Sequence, residues 1–322
     1  MNLLLPYSTA VASLVLAACL DYVIGDPWDW VHPVQVMGWV IERWRDLSWR
    51  FIPEGFGRKL SGVFLTLTLV GASAGTTWLL IYLSGEVAPS LGIITEGICL
   101  ASCLGTRSLR RAAVEVLGPL QAHDLAQARL MLSRYVGRDT ENLSQPEILR
   151  AVVETIAENT TDGAIAPLFF GLIGGAPLAM AYKAVSTLDS MVGYIDPPFT
   201  NLGWCSAKLD DFLTWLPCRF TVVAVAIQSG KPIQVWRRCR QDAPQDPSPN
   251  SGWSEAVFAA ALGVQLGGWN YYRKQPRFKP LLGSADHPLE LTTIAEALRL
   301  MRVSVLALLG LGIGIKILIA LS

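Results

Sequence analysis

The sequence predicts an all-α, polytopic integral membrane protein, and three observations carry that prediction. Charged residues make up 16% of the 322 residues, against about 25% in ordinary soluble domains, while 52% are hydrophobic. The charges are also unevenly placed, and stretch 61–85 contains no Asp, Glu, Lys or Arg. At 1.5 Å per residue that stretch is long enough to cross a hydrocarbon core of ~30 Å. Finally, apolar and polar residues alternate only in short ambiguous runs, so no sheet is expected.

Five further stretches qualify as candidate spans. Residues 1–20 and 163–182 are uncharged, 87–106 carries only Glu96, 212–230 only Arg219, and 303–322 only Lys316. The first has no Lys or Arg ahead of its apolar run and is followed by the polar stretch Asp21 to His32, so it reads as a retained span and not as a cleaved signal. Lys and Arg number 5 in 21–60, 7 in 107–162, 2 in 183–211 and 10 in 231–302. The positive-inside bias then places the three rich segments in the cytoplasm and both termini outside, provided that 163–182 and 212–230 both cross. Gly171, Gly174, Gly175 and Pro177 interrupt the first of these and Arg219 weakens the second, so either suits a broken or re-entrant helix. Between about four and six crossings are expected, in a single integral membrane domain (1–322) with 107–162 and 231–302 as cytoplasmic segments.

Within 107–162 the pattern is that of amphipathic helices. Leu125, Ala128 and Leu132 fall at helical spacing, and Ser144-Gln145-Pro146-Glu147 reads as a capping box opening a helix that runs to about Asn159. Arg150, Glu154 and Glu158 are spaced to pair along the surface of that helix. Residues 242–253 are dense in turn formers, and 253–267 reads as an apolar helix.

Composition excludes some functions. With 26 basic and 26 acidic residues there is no positive excess for binding nucleic acid. The six cysteines contain no C-x-x-C pair and read as buried thiols, and three scattered histidines make no zinc site. There is no G-x-x-x-x-G-K-[ST], G-x-S-x-G or H-E-x-x-H, so any nucleotide must bind outside a P-loop.

Polar clusters beside the apolar spans carry the candidate chemistry, because burial there is costly for groups that neither act nor pair. Glu158 and Asp162, with Asn159 and hydroxyls between, suit an oxygen-ligand Mg²⁺ site or a polar turn at a helix end. Lys183 and Asp189 are either functional or a simple ion pair. Lys208, Asp210 and Asp211 could hold a metal–nucleotide complex or begin a helix. Ser248 to Glu255 reads as a phosphate-binding turn or as an ordinary N-cap. Asp26 and His32 make a further polar stretch.

Taken together, seven segments resemble the adenosylcobinamide-phosphate synthase family of cobalamin-biosynthesis membrane synthases. They are Gly25-Asp26-Pro27…His32-Pro33-Val34, Arg138-Asp139-Thr140, Glu158 to Gly163, Tyr182 to Tyr194, Trp204 to Asp211, Pro247 to Trp253 and Gly267 to Tyr272. They occur in the family's order, with Trp269 a mild departure where the family often has Pro. The resemblance implies an ATP-dependent amide ligase. It would join the free propionate carboxyl of adenosylcobyric acid to (R)-1-amino-2-propanol or its O-phosphate, giving adenosylcobinamide or its phosphate. It also implies ATP and Mg²⁺, a lipid environment in the prokaryotic inner membrane with the site on the cytoplasmic side, and compatibility with association among corrinoid-pathway enzymes.

On that resemblance Glu158, Asp162, Asp210 and Asp211 are expected to hold Mg²⁺–ATP. Lys183, Lys208 and Arg138 would neutralise phosphate charge, and Asp189 would orient or deprotonate the amine. Asn159, Ser248 and Asn250 would hydrogen-bond phosphate or corrin amides, with Asp26 and His32 lining the cavity. A single shared site would require 163–182 and 212–230 to be short, broken or re-entrant. The rival classes are a transporter, for which no inverted repeat is visible, and a non-catalytic sensor or scaffold, expected to lose the paired carboxylates at Asp210 and Asp211.

Overall fold

The computed structural model describes residues 5–25, 32–194 and 197–321. In chain order the elements are α1 (Leu5–Val23), α2 (Pro33–Phe51), α3 (Phe56–Val87), α4 (Pro89–Ala101), α5 (Thr106–Gln121), α6 (Leu125–Leu132), α7 (Gln145–Asn159), a π-helical turn (Thr160–Ile165), α8 (Ala166–Val192), α9 (Trp204–Gln228), α10 (Pro232–Asp242), α11 (Ser251–Leu262), the strands β1 (Gln265–Tyr272) and β2 (Gln275–Gly283), and α12 (Leu291–Leu321). Among the described residues, four helical stretches are long and apolar enough to cross a membrane: Phe56–Val87, Pro89–Gln121, Gln145–Val192 and Leu291–Leu321. Thr9–Val23 is a shorter apolar helix. The chain is therefore an integral membrane protein of predominantly helical architecture, as its composition predicts.

The chain divides into two compact units, one formed by residues 1–105, 166–214 and 308–322 and the other by 106–165 and 215–307. In the first unit α1 packs on α4, α3 packs on α4 and α8, and α2 packs on α8. The outward faces are apolar: Leu67, Leu79, Leu80 and Leu83 of α3 and Ile94 and Ile98 of α4 are all exposed. Such a continuous apolar surface suits hydrocarbon and not water.

The break expected in 163–182 is present. Gly174 (φ −132°, ψ 22°) and Gly175 (φ 67°, ψ −164°) leave the helical region inside α8, and Pro177 follows. Glu96 of α4 comes up against this break. Its Oε2 accepts a hydrogen bond of 2.8 Å from Ser13 Oγ of α1, and a Cβ placed on Gly175 would lie 2.4 Å from its Oε1. The lone acid of an apolar helix thus lies where α8 opens its backbone, next to the fresh helix N-terminus beyond Gly175, whose dipole favours a carboxylate.

The second unit has its own hydrophobic core, and both segments expected as insertions, 107–162 and 231–302, belong to it almost entirely. Its centre is α7, whose Ile148, Leu149, Val153, Ile156 and Ala157 are buried against Ala256, Val257, Phe258 and Ala259 of α11. The α7 start follows the sequence reading: the Glu147 carboxylate accepts hydrogen bonds from the Ser144 backbone N–H (2.7 Å) and hydroxyl (2.6 Å).

Three expectations are corrected here. Stretch 212–230 is not a span covered by lipid on every side: Cys218, Val222, Val225 and Ala226 of α9 are buried in this core, while Leu216, Val223 and Ile227 are exposed; an apolar run reads the same whether protein or lipid covers it. The helix expected over 253–267 ends at Leu262, where Gly263 (φ 66°) adopts the left-handed conformation and its N–H closes on Ala259 O. Residues 265–283 then form an antiparallel hairpin, an addition to the all-α expectation. A bulge between Leu266 and Gly268 shifts its register, which erases the alternation that would have revealed β1.

Gly175 should tolerate no side chain. Gly175→Ala forces an L-residue into positive φ, at about 1–2 kcal/mol, and drives its Cβ into Glu96. Thermal unfolding in detergent should show a melting temperature several degrees lower, and an unchanged one would contradict the close approach.

Candidate functional site

The densest buried polar network lies in the second unit, on α7, the hairpin and α11. Its anchor is Glu154, whose side chain is only 3% exposed. One carboxylate oxygen, Oε1, accepts the Gly267 N–H at 2.9 Å and lies 3.7 Å from Arg150 Nε; the other pairs with Arg138. Arg138 also donates to Asn270 Oδ1 at 2.6 Å. Arg150 reaches past the bulge to the carbonyl oxygens of Gly267 and Trp269 (2.9 Å to the latter) and to Asn270 Oδ1 at 3.1 Å. The bulge glycines make this reach feasible: at Gly268 (φ 90°) a Cβ would sit 2.8 Å from Arg150 Nη1. Glu154 was expected on the surface of α7; it instead faces inward, because both of its cations come from the buried side.

The hairpin is held a second time, by Asp139. Its two-residue turn places Arg273 (φ 50°) and Lys274 (φ 65°) in the left-handed region that Asn-Gly usually occupies. The Asp139 carboxylate accepts both of their N–H groups, at 3.1 and 2.7 Å, and the Asp139 N–H donates to Tyr271 O at 2.8 Å.

Next along α7 is a pair that motif reading left unassigned. Glu255 of α11 is fully buried, and its Oε1 accepts a 2.5 Å hydrogen bond from Lys279 Nζ of β2. Its Oε2 is buried with no hydrogen-bond partner among the described residues, a state that costs about 1–3 kcal/mol. Burial pushes the Glu255 carboxyl up, Glu158 and Glu154 push it the same way, and Lys279 pulls it back down. Burial alone would lower Lys279, but Glu255, Glu158 and Glu154 together hold it above its ordinary value, so it stays a cation.

Glu158 and Asn159 close α7, and Thr160 to Gly163 open the π-helical turn, so the segment lies inside a longer helical run and not in a loop. One run of helix continues through it from Gln145 to Val192, and π-turns of this kind recur at functional sites. Thr161 Oγ1 lies 3.1 Å from Thr221 Oγ1 and 2.7 Å from Ser254 Oγ, tying the turn to α9 and α11. Glu158 and Asp162 are half-buried, and Asn159 donates to Thr155 O at 3.0 Å.

Ser248 and Asn250 fit the N-cap reading and not the phosphate-binding turn. Ser248 Oγ accepts the N–H groups of Asn250 (3.3 Å) and Ser251 (3.1 Å), and Asp246 Oδ1 accepts that of Ser248 at 2.9 Å. Asn250 is buried, and its carbonyl accepts a hydrogen bond from Cys218 Sγ at 3.3 Å. Arg138, expected to neutralise phosphate, is itself buried and engaged by Glu154 and Asn270.

The remaining expected residues lie in the first unit. Lys208 and Asp211 form an ion pair of 3.3 Å with the lysine largely exposed. Asp210 Oδ2 accepts from Thr214 Oγ1 at 3.4 Å, and Thr214 in turn lies 2.9 Å from the Tyr182 hydroxyl. Lys183 and Asp189 are partly buried on α8, six residues apart and so ~9 Å apart along its axis. His32 caps α2, its Nδ1 accepting the Val34 N–H at 3.3 Å. Asp26 lies outside the described residues. Among the described residues no group of three or more His, Cys, Asp or Glu side chains is arranged to hold a metal ion. The four expected Mg²⁺ ligands divide two and two, Glu158 and Asp162 in the second unit, Asp210 and Asp211 in the first.

Residues 14–301 match the family described as CobD/Cbib protein. The chain belongs to this family. The cobalamin biosynthesis protein CobD of Synechocystis is 52% identical over 296 residues, covering 90% of this chain and 86% of that protein. The cobalamin biosynthesis protein CbiB of Salmonella choleraesuis is 43% identical over 299 residues (90% and 94%), and a CobD of Klebsiella pneumoniae is 42% identical over 305 (94% and 96%). No solved structure matches. Family membership therefore spans both units, including the whole polar network of α7, α11 and the hairpin.

Glu154→Gln should destabilise the protein by about 3–5 kcal/mol, since removing one partner of a buried ion pair strands the other. Denaturant titration of the solubilised protein would show this, and wild-type stability would contradict the clamp.

Proposed function

We propose that this chain is an ADP-forming acid–amine ligase of cobalamin biosynthesis, joining adenosylcobyric acid to (R)-1-amino-2-propanol or its O-phosphate. One observation carries the reading beyond family membership. Segments 138–140, 158–163, 247–253 and 267–272, four of the seven on which the resemblance rests, are far apart in sequence but all belong to the second unit. There, hydrogen bonds and charges tie Arg138, Glu154, Thr161, Ser254, Glu255, Gly267 and Asn270 to one another's elements.

The chemistry balances as follows. A carboxylate oxygen of adenosylcobyric acid attacks the γ-phosphorus of ATP and displaces ADP, giving an acyl phosphate. The amine nitrogen attacks the acyl carbon, the C–O bond to phosphate breaks, and inorganic phosphate leaves with that electron pair while the nitrogen loses a proton to a base. Asp189 is our candidate for that base or for orienting the amine. Lys183 and Lys208 are candidates for neutralising phosphate charge, and Asn159 for hydrogen bonding to phosphate or corrin amide. Magnesium is expected, and the donor set at Glu158 and Asp162 fits it: two oxygen ligands suffice for an ion that keeps most of its shell for phosphate and water. Bound there, it would offset charge on the transferred group. Asp210 and Asp211 are further candidate ligands. The reading places the protein in a prokaryotic inner membrane with ATP drawn from the cytoplasm.

Solubilised protein given adenosylcobyric acid, Mg²⁺–ATP and either amine should yield a corrinoid heavier by that amine less water, seen by mass spectrometry and dependent on ATP. Folded protein yielding no such product with either amine would favour the sensor or scaffold reading. Asp162→Asn and Asp211→Asn should each lower turnover at least ten-fold; near-wild-type turnover in either would remove that residue from the metal set.

A further inference from the structure

We propose that Lys279 is the cation of the second unit that contacts the anionic group of the nucleotide, and that Glu255 is the positioning residue that holds it. The inference rests on the ligase reading only for the identity of the reaction; the contact itself is argued from the cations of the polar network.

That network contains three cations. Arg138 has an 8% exposed side chain and spends its guanidinium on Glu154 and Asn270. Arg150 is 14% exposed and is spread over two backbone carbonyls, Asn270 and Glu154. Lys279 is different: its side chain is about one-third exposed, at 32%, while the carboxylate it holds is completely buried. An ammonium has three donors, and among the described residues the one side-chain hydrogen bond Lys279 makes is to Glu255. It therefore combines a fixed position with exposure and donors to spare.

Glu255 makes no sense as packing. It sits in α11 among Ala256, Val257, Phe258 and Ala259, all fully buried, at a place where an apolar side chain would do as well for stability. What a carboxylate adds there is direction: it draws the flexible lysine inward and fixes its Nζ. Position 279 also lies opposite Gly268 in the hairpin register, beside the bulge. The Asp139 and Glu154 clamps therefore fix the backbone from which Lys279 projects. Glu154 is paired with Arg138 and Arg150, which leaves Glu255 as the carboxylate that holds the lysine.

The test uses full-length protein in detergent, with Lys279→Ala, Lys279→Arg and Glu255→Gln, each checked for folding by thermal unfolding. Binding of a fluorescent ATP analogue is measured directly, and KM for ATP and for the amine are measured in the ligase assay. Lys279→Ala should weaken nucleotide binding and raise the ATP KM ten-fold or more, as expected for loss of a charge-assisted contact. Lys279→Arg should restore most of both. Glu255→Gln should raise the ATP KM and leave the amine KM unchanged, a split that a merely structural pair would not produce. Unaltered nucleotide binding in folded Lys279→Ala, or an unaltered ATP KM in Glu255→Gln should the alanine variant fail to fold, would overturn the inference, as would wild-type protein that binds no nucleotide. Nucleotide binding that depends on Lys279 in protein that forms no amide would uphold the contact and overturn the ligase reading alone.

Discussion

The second unit depends on one buried carboxylate. Glu154 receives a guanidinium from Arg138, lies against a second on its own helix, and accepts a backbone N–H from the bulge of the hairpin. A charge buried this deeply is stable only when every lone pair is answered, and here the answers come from α7, from the loop before it and from a strand 113 residues away. Fixing the hairpin to α7 in this way also fixes the strand that carries Lys279 and therefore what it can meet.

Membrane and polar chemistry are separated along the chain in a way that charge counting alone does not resolve. The uncharged stretches 61–85 and 163–182 do become apolar helices with exposed hydrophobic faces or a glycine break, but 212–230 turns one face inward and helps to form the core of the second unit. The same apolar residues serve either purpose. What distinguishes them is the partner surface, and that surface is supplied by α7 and α11 from elsewhere in sequence.

The parts of the fold that were legible in sequence are the local ones. Ser144 to Glu147 announces the start of α7 because cap and acceptor are three residues apart, and Gly174, Gly175 and Pro177 announce the break in α8 because each acts on its own backbone. The hairpin was not legible. Its turn residues are Arg273 and Lys274, neither a turn former, and they hold positive φ only because Asp139 accepts their N–H groups from 134 and 135 residues away. The candidate site divides on the same line. Motif residues were visible as residue types, but their roles depend on what they meet: Arg138 is consumed by Glu154, Ser248 caps its own turn, and His32 caps α2. Glu154 reads as a surface residue, Glu255 as the tail of a capping segment and Lys279 as nothing in particular, because a Glu on a helix and a Lys in a strand look like surface until their partners are known.

The central claim, phosphoryl activation of a carboxylate followed by amide formation, is most directly tested with adenosylcobyric acid labelled with ¹⁸O in its free carboxyl group. The account predicts that, with ATP and the amine, one labelled oxygen appears in inorganic phosphate, because the carboxylate oxygen that attacks the γ-phosphorus departs with it. Label appearing in AMP, or amide formed with no label in phosphate, would contradict it.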